Sequence, residues 1–241
     1  MLTPELLAVV LAVFGAGLAI GLGAIGSAIG EGFIAMRAMA ALGRQPKAAG
    51  QILRTMLIGQ AVTETAAIFA LVIALLLIFQ SPDAGMTWVK SLTYGAAGLA
   101  IGFGTIGAGL GAGLPGGAAC DGIAKNPKNT DVLSLHMLIA QAVTQTATIF
   151  SLTVALILIL ITPESTLTAA ASVLGAGLAI GFGAIGPGLG DGLVAYNANK
   201  ALARNPKHMA LVTRTMLIGQ AVTETTDIYS MVVALMLIFV A

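Results

Sequence analysis

Residues 54–65 read RTMLIGQAVTET, and the same twelve letters return at 214–225. A looser copy, HMLIAQAVTQT, lies between them at 136–146. A second phrase, GAGLAIGLGAIG at 15–26, returns as GAGLAIGFGAIG at 175–186, with GLAIGFGTIGAG at 98–109 between. The chain is therefore a repeat of about 80 residues, and its units fall at 1–80, 81–162 and 163–241. A fixed period of this kind is the mark of a stacked array of one supersecondary unit.

Composition places the array in a membrane. The 241 residues are 58% hydrophobic and only 9% charged, whereas a water-facing domain carries roughly 25% charged residues. A net charge of +1 gives no electrostatic basis for binding nucleic acid. One cysteine excludes an internal disulfide and a CxxC site, so Cys120 reads as a small apolar residue. No Ser-His-Asp set, metal-ligand cluster or nucleotide motif is present, and no cofactor is expected. The Gly-rich run lacks the Lys-Ser/Thr of a phosphate loop.

Each unit holds two long apolar stretches. Residues 5–42 are apolar apart from Glu5, Glu31 and Arg37, and after a polar loop 52–79 is apolar apart from Arg54 and Glu64. About 20 apolar residues cross the hydrocarbon layer. The fold class is thus all-α membrane: six transmembrane helices as three tandem hairpins, near 5–42, 52–79, 87–123, 132–161, 166–202 and 209–240. Pro115 and Pro187 are expected to bend the first helices of the second and third units. The first apolar stretch runs too long for a cleaved signal and reads as a segment that stays.

The loops inside the units carry the basic residues: Arg44 and Lys47, Lys125 and Lys128, Arg204 and Lys207. The connections between units, QSPDAG at 80–85 and TPEST at 162–166, carry no Lys or Arg. The positive-inside rule makes the basic loops cytoplasmic and puts both termini on the opposite side. Trp88 reads as an interfacial anchor, and His136 and His208 as solvated or capping residues near the cytoplasmic ends.

Glu64 lies ten residues past Arg54, or ~15 Å along a helix, near mid-membrane. Glu31 and Glu64 stand sixteen or seventeen residues on either side of the Pro46–Lys47 turn, so they share one depth on neighbouring helices. Asp191 and Glu224 repeat this relation. The middle unit has Ala112 and Gln145 there, so both acids are absent together. Intramembrane acids are costly and mark ion pathways. Paired carboxylates in low dielectric do not both ionise easily, and the pair suits a proton, or Na⁺ with oxygen ligands. Thr65 in the first unit and Thr225, Thr226 and Tyr229 in the third supply nearby oxygens. Asp227, one turn past Glu224, has Ala67 and Thr148 as its counterparts, and its role stays open between a protonated, hydrogen-bonded group and an aid to ion access.

These residues resemble the c subunit of F-type ATP synthases, the proteolipid of the rotor ring. The resemblance covers the whole chain. It rests on the Gly-rich first helices, on the loops Arg44-Gln45-Pro46, Lys125-Asn126-Pro127 and Arg204-Asn205-Pro206, and on the acid in the middle of the second helix. It implies an oligomeric ring of this chain, in which Glu64 and Glu224 load and unload the transported ion as they pass a subunit a bearing an essential Arg. It implies that the three loops contact the central stalk, and that membrane lipids surround a multi-pass protein of a bacterial-type plasma membrane. By the same resemblance the ion ligands are Val62, Glu64 and Thr65, and Val222, Glu224, Thr225, Thr226 and Tyr229. Glu31 and Asp191 replace the first-helix Gln of sodium-binding members, which favours H⁺ over Na⁺. A self-contained six-helix channel or transporter is the alternative. Parallel rather than inverted repeats and unbroken helix centres weigh against it. The middle hairpin reads as a spacer without an ion site.

Overall fold

The fold was analysed as a computed structural model, which describes residues 3–80 and 86–240. Each unit begins with a threonine cap. Thr3, Thr87 and Thr166 accept hydrogen bonds through their hydroxyls from the N–H groups of Leu6, Lys90 and Ala169, at 3.3, 3.1 and 3.1 Å. Each satisfies a donor that the helix start leaves open. The helices that follow are α1 (Pro4–Arg44), α3 (Trp88–Lys125) and the pair α6 (Leu167–Gly183) and α7 (Ile185–Arg204). Each stops before an Xaa-Pro step, because proline disfavours a helical residue ahead of it. Gln45, Asn126 and Asn205 take φ of −141°, −147° and −136°. A single 3₁₀ turn then leads into the second helices: α2 (Ala49–Ile78), the pair α4 (Thr130–Thr144) and α5 (Thr146–Leu160), and α8 (Met209–Phe239).

Counting α4–α5 and α6–α7 as one span each, six spans among the described residues are long and apolar enough to cross a membrane. The three first helices stand side by side with α3 between α1 and α6–α7. The second helices form another row behind them. The two rows pack against each other around one apolar layer. Its core is mainly alanine and glycine, with Ala19, Ala70, Ala97, Ala100, Ala155 and Ala176 all buried. Small residues let helix backbones approach where lipid gives no hydrophobic drive for association. Gly98 shows how tight the inner row is. A Cβ there would lie 2.7 Å from the Gly15 Cα.

α3 runs through Pro115 without interruption, packed by α1 and α7. The first helix of the third unit is broken at Ala184, one turn ahead of Pro187, whose missing N–H leaves the Gly183 carbonyl without its helical donor. A break in a second helix falls at Gln145, where no proline stands. One expectation is corrected. His136 is not solvated: it is buried, with Nδ1 3.1 Å from Asn199 Oδ1, and the amide of Asn199 donates to the Pro115 carbonyl at 3.3 Å. His208 stands at the N-cap position of α8, exposed and without a capping hydrogen bond from its side chain. Trp88 opens α3 with its ring partly exposed. The connection at 80–85 falls, from 81 to 85, outside the described residues.

At the end opposite the loops, Lys90 reaches across to α5. Its ammonium donates to the carbonyls of Ile159 and Ile161 at 2.5 and 2.6 Å. These terminal carbonyls have no partner within their own helix, and a cation also complements the negative helix end. Lys90→Met is expected to cost about 1.5–3 kcal/mol, the worth of a hydrogen bond to a charged group. Thermal unfolding in detergent checks this, with Lys128→Met as the neutral control.

Candidate ion sites at the hairpin junctions

A repeated glutamine ties the two helices of each hairpin together at the level of the acids. The amide of Gln60 donates to the Glu31 carbonyl at 3.2 Å, Gln141 to Ala112 at 2.9 Å, and Gln220 to Asp191 at 3.4 Å. Each glutamine lies one turn before the second-helix acid position, so the first-helix and second-helix positions share one depth. Two of the glutamines also reach back to the preceding hairpin. Gln141 donates to the Gly59 carbonyl at 2.9 Å and to the Thr63 hydroxyl at 3.2 Å, and Gln220 to the Ala140 carbonyl at 3.3 Å. Gln60, at the open edge of the first hairpin, makes only the bond within its own unit.

The sites therefore form between hairpins. At the first junction the Gln145 amide donates to the Val62 carbonyl at 3.1 Å. Its Oε1 is buried without a partner, and Ala112 beside it carries no polar side chain. At the second junction the Thr146 hydroxyl of the middle hairpin donates to Glu224 of the third. The Thr223 hydroxyl donates to Asp191 Oδ1, while Asp191 Oδ2 is buried without a partner. Asp227 is fully buried, and neither of its carboxyl oxygens has a partner among the described residues. Half-buried Glu224 thus has the carboxyl groups of Asp191 and Asp227 in its surroundings and a donated hydroxyl. Among the described residues no three acidic, His or Cys side chains come together as a metal-ion cage.

The third site is half built. Glu64 is exposed on the open face of the first hairpin, with no partner among the described residues, and Glu31 beside it is half-buried. On the opposite open edge, Val222 and Tyr229 are 66% and 64% exposed.

The ligand sets expected from the sequence are thus divided differently in space. The Val62 carbonyl serves Gln145 of the next hairpin rather than Glu64. The hydroxyls of Thr225 and Thr226 turn back to the carbonyls of Val222 and Thr223, at 2.7 and 3.0 Å, and do not reach Glu224. The contact the sequence reading missed is Thr146. A signal for it existed: a threonine follows the acid position in all three copies, as Thr65, Thr146 and Thr225, and the middle copy keeps it although its acid is gone. In the loops, Arg44 bonds Asp121 across the first junction and is partly occupied there.

All three hairpins can be matched to proteins of known identity. The family model for the C subunit of ATP synthase matches three times, at residues 14–77, 95–158 and 174–237. The ATP synthase c subunit of Petrotoga mobilis is 53% identical over 68 residues, covering 28% of this chain and 71% of the relative. The ATP synthase c subunit 2 of Cereibacter sphaeroides is 48% identical over 84 residues, covering 35% of this chain and all of the relative. The ATP synthase c subunit of Natranaerobius thermophilus is 50% identical over 86 residues, covering 36% of this chain and 99% of the relative. Each relative spans about one hairpin. The three matches together take in both helices of all three hairpins, so this integral membrane chain belongs to the c-subunit family of ATP synthases as three fused copies of its unit.

Proposed function

We propose that this rotor-ring subunit, which is not an enzyme by itself, carries H⁺ on Glu224 and Glu64 as the ring turns, with Asp191 and Glu31 as their paired acids. The observation that carries the reading is the hydroxyl of Thr146 donated to Glu224 from the neighbouring hairpin. The same relation, repeated once more, brings Glu64 of one copy against the Val222 carbonyl and Thr225 of the next. The two open edges fit each other in this way, and a head-to-tail contact whose rotation closes yields a ring. H⁺ is favoured over Na⁺ by the number of acids. One metal cation among Glu224, Asp191 and Asp227 leaves surplus negative charge in apolar surroundings, whereas protons neutralise each group singly. Subunit a, with its Arg, would unload the sites. The loops at Arg44–Pro46, Lys125–Pro127 and Arg204–Pro206 would meet the central stalk on the cytoplasmic side.

Carbodiimide labelling of the purified assembly tests the reading. Glu64 and Glu224 are expected to react, and the span Pro127–Leu160 to stay unlabelled. Label confined to other acids, or a single chain that carries ion flux alone, sinks the rotor reading. Protection of both glutamates by millimolar Na⁺ at fixed pH would replace H⁺ by Na⁺.

The Gln145 junction bears on the gear ratio. Three hairpins with two acid-bearing junctions pass fewer ions per turn than three full sites, so each ATP hydrolysed can work against a steeper gradient. This suits an ATP-driven pump. The double change Gln145→Glu with Ala112→Glu is expected to raise transport from two to three ions per chain per turn, measured as ions moved per ATP in vesicles. An unchanged ratio would mean that Gln145 is merely tolerated.

A further inference from the structure

On the face of the first helices turned away from the second row, at the loop end, side chains from all three hairpins converge. Arg37 of α1 passes in front of α3 and donates to the Tyr196 hydroxyl of α7 at 2.9 Å. Gly117 of α3 lies directly beneath, since a Cβ there would meet Phe33 and Arg37. A cavity of about 250 Å³ opens beside this strap, lined by Arg37, Arg44, Asp121, Lys125, Lys200 and Arg204. Asp121 pairs with Arg37 at 2.9 Å and with Arg44. Lys125, Lys200 and Arg204 have no carboxylate in ion-pair distance among the described residues, and Lys200 lies over the Tyr196 ring at 4.9 Å from its centroid. Five cations thus surround one carboxylate, an uncompensated charge at the margin of an apolar layer.

Arg44, Lys125 and Arg204 are the loop cations of the repeat, but Arg37 and Lys200 are not. The counterparts of Arg37 are Ala118 and Asn197, and those of Lys200 are Ala40 and Asp121. The cavity thus joins the loop cations of all three hairpins to two cations that only one hairpin each supplies. Below it the wall is apolar. Leu99, Phe103, Ile106, Leu110 and Leu114 form a half-exposed stripe along α3, whose other faces are buried. Arg37 and Lys200 lie seven and four residues inside Arg44 and Arg204, or ~10 and ~6 Å by helical rise. That is the depth at which long basic side chains reach the interface.

We propose that this cavity binds the phosphate headgroup of one anionic phospholipid per chain, with the acyl chains lying along the inner stripe. An apolar wall continuous with the cations fits a lipid better than a soluble phosphate or an acidic stalk segment, neither of which has use for it. Basic pockets between membrane helices are suited to such headgroups. The inference stands within one chain and does not depend on which ion Glu224 carries.

The test uses the purified assembly in detergent, with mixed micelles of phosphatidylglycerol or phosphatidylcholine and bound lipid counted by native mass spectrometry. Phosphatidylglycerol is expected to be retained in preference to phosphatidylcholine, at one per chain, and millimolar inorganic phosphate should not displace it. Lys125→Gln with Lys200→Gln should weaken retention roughly 30-fold, and Lys200→Gln alone, if the double variant does not assemble, roughly fivefold. Equal retention of the two lipids, or a preference untouched by the lysine changes, overturns the proposal. Displacement by inorganic phosphate would make the cavity a soluble-phosphate site. Displacement on adding back the central stalk would give it to a protein partner.

Discussion

Replacing both Glu64 and Glu224 with glutamine is expected to leave the assembly intact and to stop ion movement altogether. The chain already shows why assembly survives. At the first junction a glutamine stands at the acid position, and its amide bonds the Val62 carbonyl of the preceding hairpin. A neutral amide of the same length is therefore accommodated at this depth and adds no charge to be desolvated. The transport step has no such substitute. Glutamine can neither lose a proton nor regain one, so no site alternates between charged and neutral. ATP-driven acidification of inverted vesicles should fall to the leak rate, while the size and yield of the purified assembly stay those of the native protein. Transport remaining near half the native rate would shift the ion-carrying role to Glu31, Asp191 or Asp227. Asp227 is the strongest of these, since it is buried with both oxygens unpaired.

The second large effect concerns a glycine that touches nothing in the single chain. Gly32, Gly113 and Gly192 occupy the same place in the three hairpins. A Cβ on Gly113 would lie 2.6 Å from the carbonyl carbon of Gly30, and one on Gly192 would lie 2.6 Å from that of Gly111. Gly32 has open space within 4 Å. The missing neighbour is the counterpart of Gly30 and Gly111, which is Gly190 of the next copy. Gly32→Leu is expected to leave the chain folded, even slightly steadier, because Leu is a better helix former than Gly by ~1 kcal/mol. It should abolish the ring, because a side chain cannot enter a contact between backbones. The same change at Gly192 should disrupt the chain itself. Native size measured beside helicity separates the outcomes: a Gly32→Leu ring of native size would show that the chains meet along some other face.

Much of the molecule is legible without coordinates. The six spans follow from apolar length, and the hairpins from loops such as Arg44-Gln45-Pro46, where proline ends one helix and a 3₁₀ turn starts the return. The matched depth of Glu31 with Glu64 and of Asp191 with Glu224 follows from counting residues on either side of that turn. These are local properties, set by helical rise and by the cost of unpaired backbone in lipid. The break at Gln145 has no proline to announce it. The burial of His136 against Asn199 and the bonding of Arg44 to Asp121 were not readable, because the partners lie 63 and 77 positions away.

The same distinction divides the candidate ion site. By itself the sequence determined which residues are acids, how deep they lie and which hairpin lacks them, because a helix converts residue number directly into depth. Only the tertiary structure decided which residues face one another. A hairpin presents one flank to the hairpin before it and the other to the hairpin after it, so the groups around one carboxylate come from two units. Thr146 therefore serves Glu224 in the next hairpin, while Val62 stands opposite Gln145 rather than its own Glu64. Which flank meets which is fixed by the close contacts of glycine on the first helices, Gly98 on Gly15 and Gly107 on Ile185. No periodicity along a single helix carries that information.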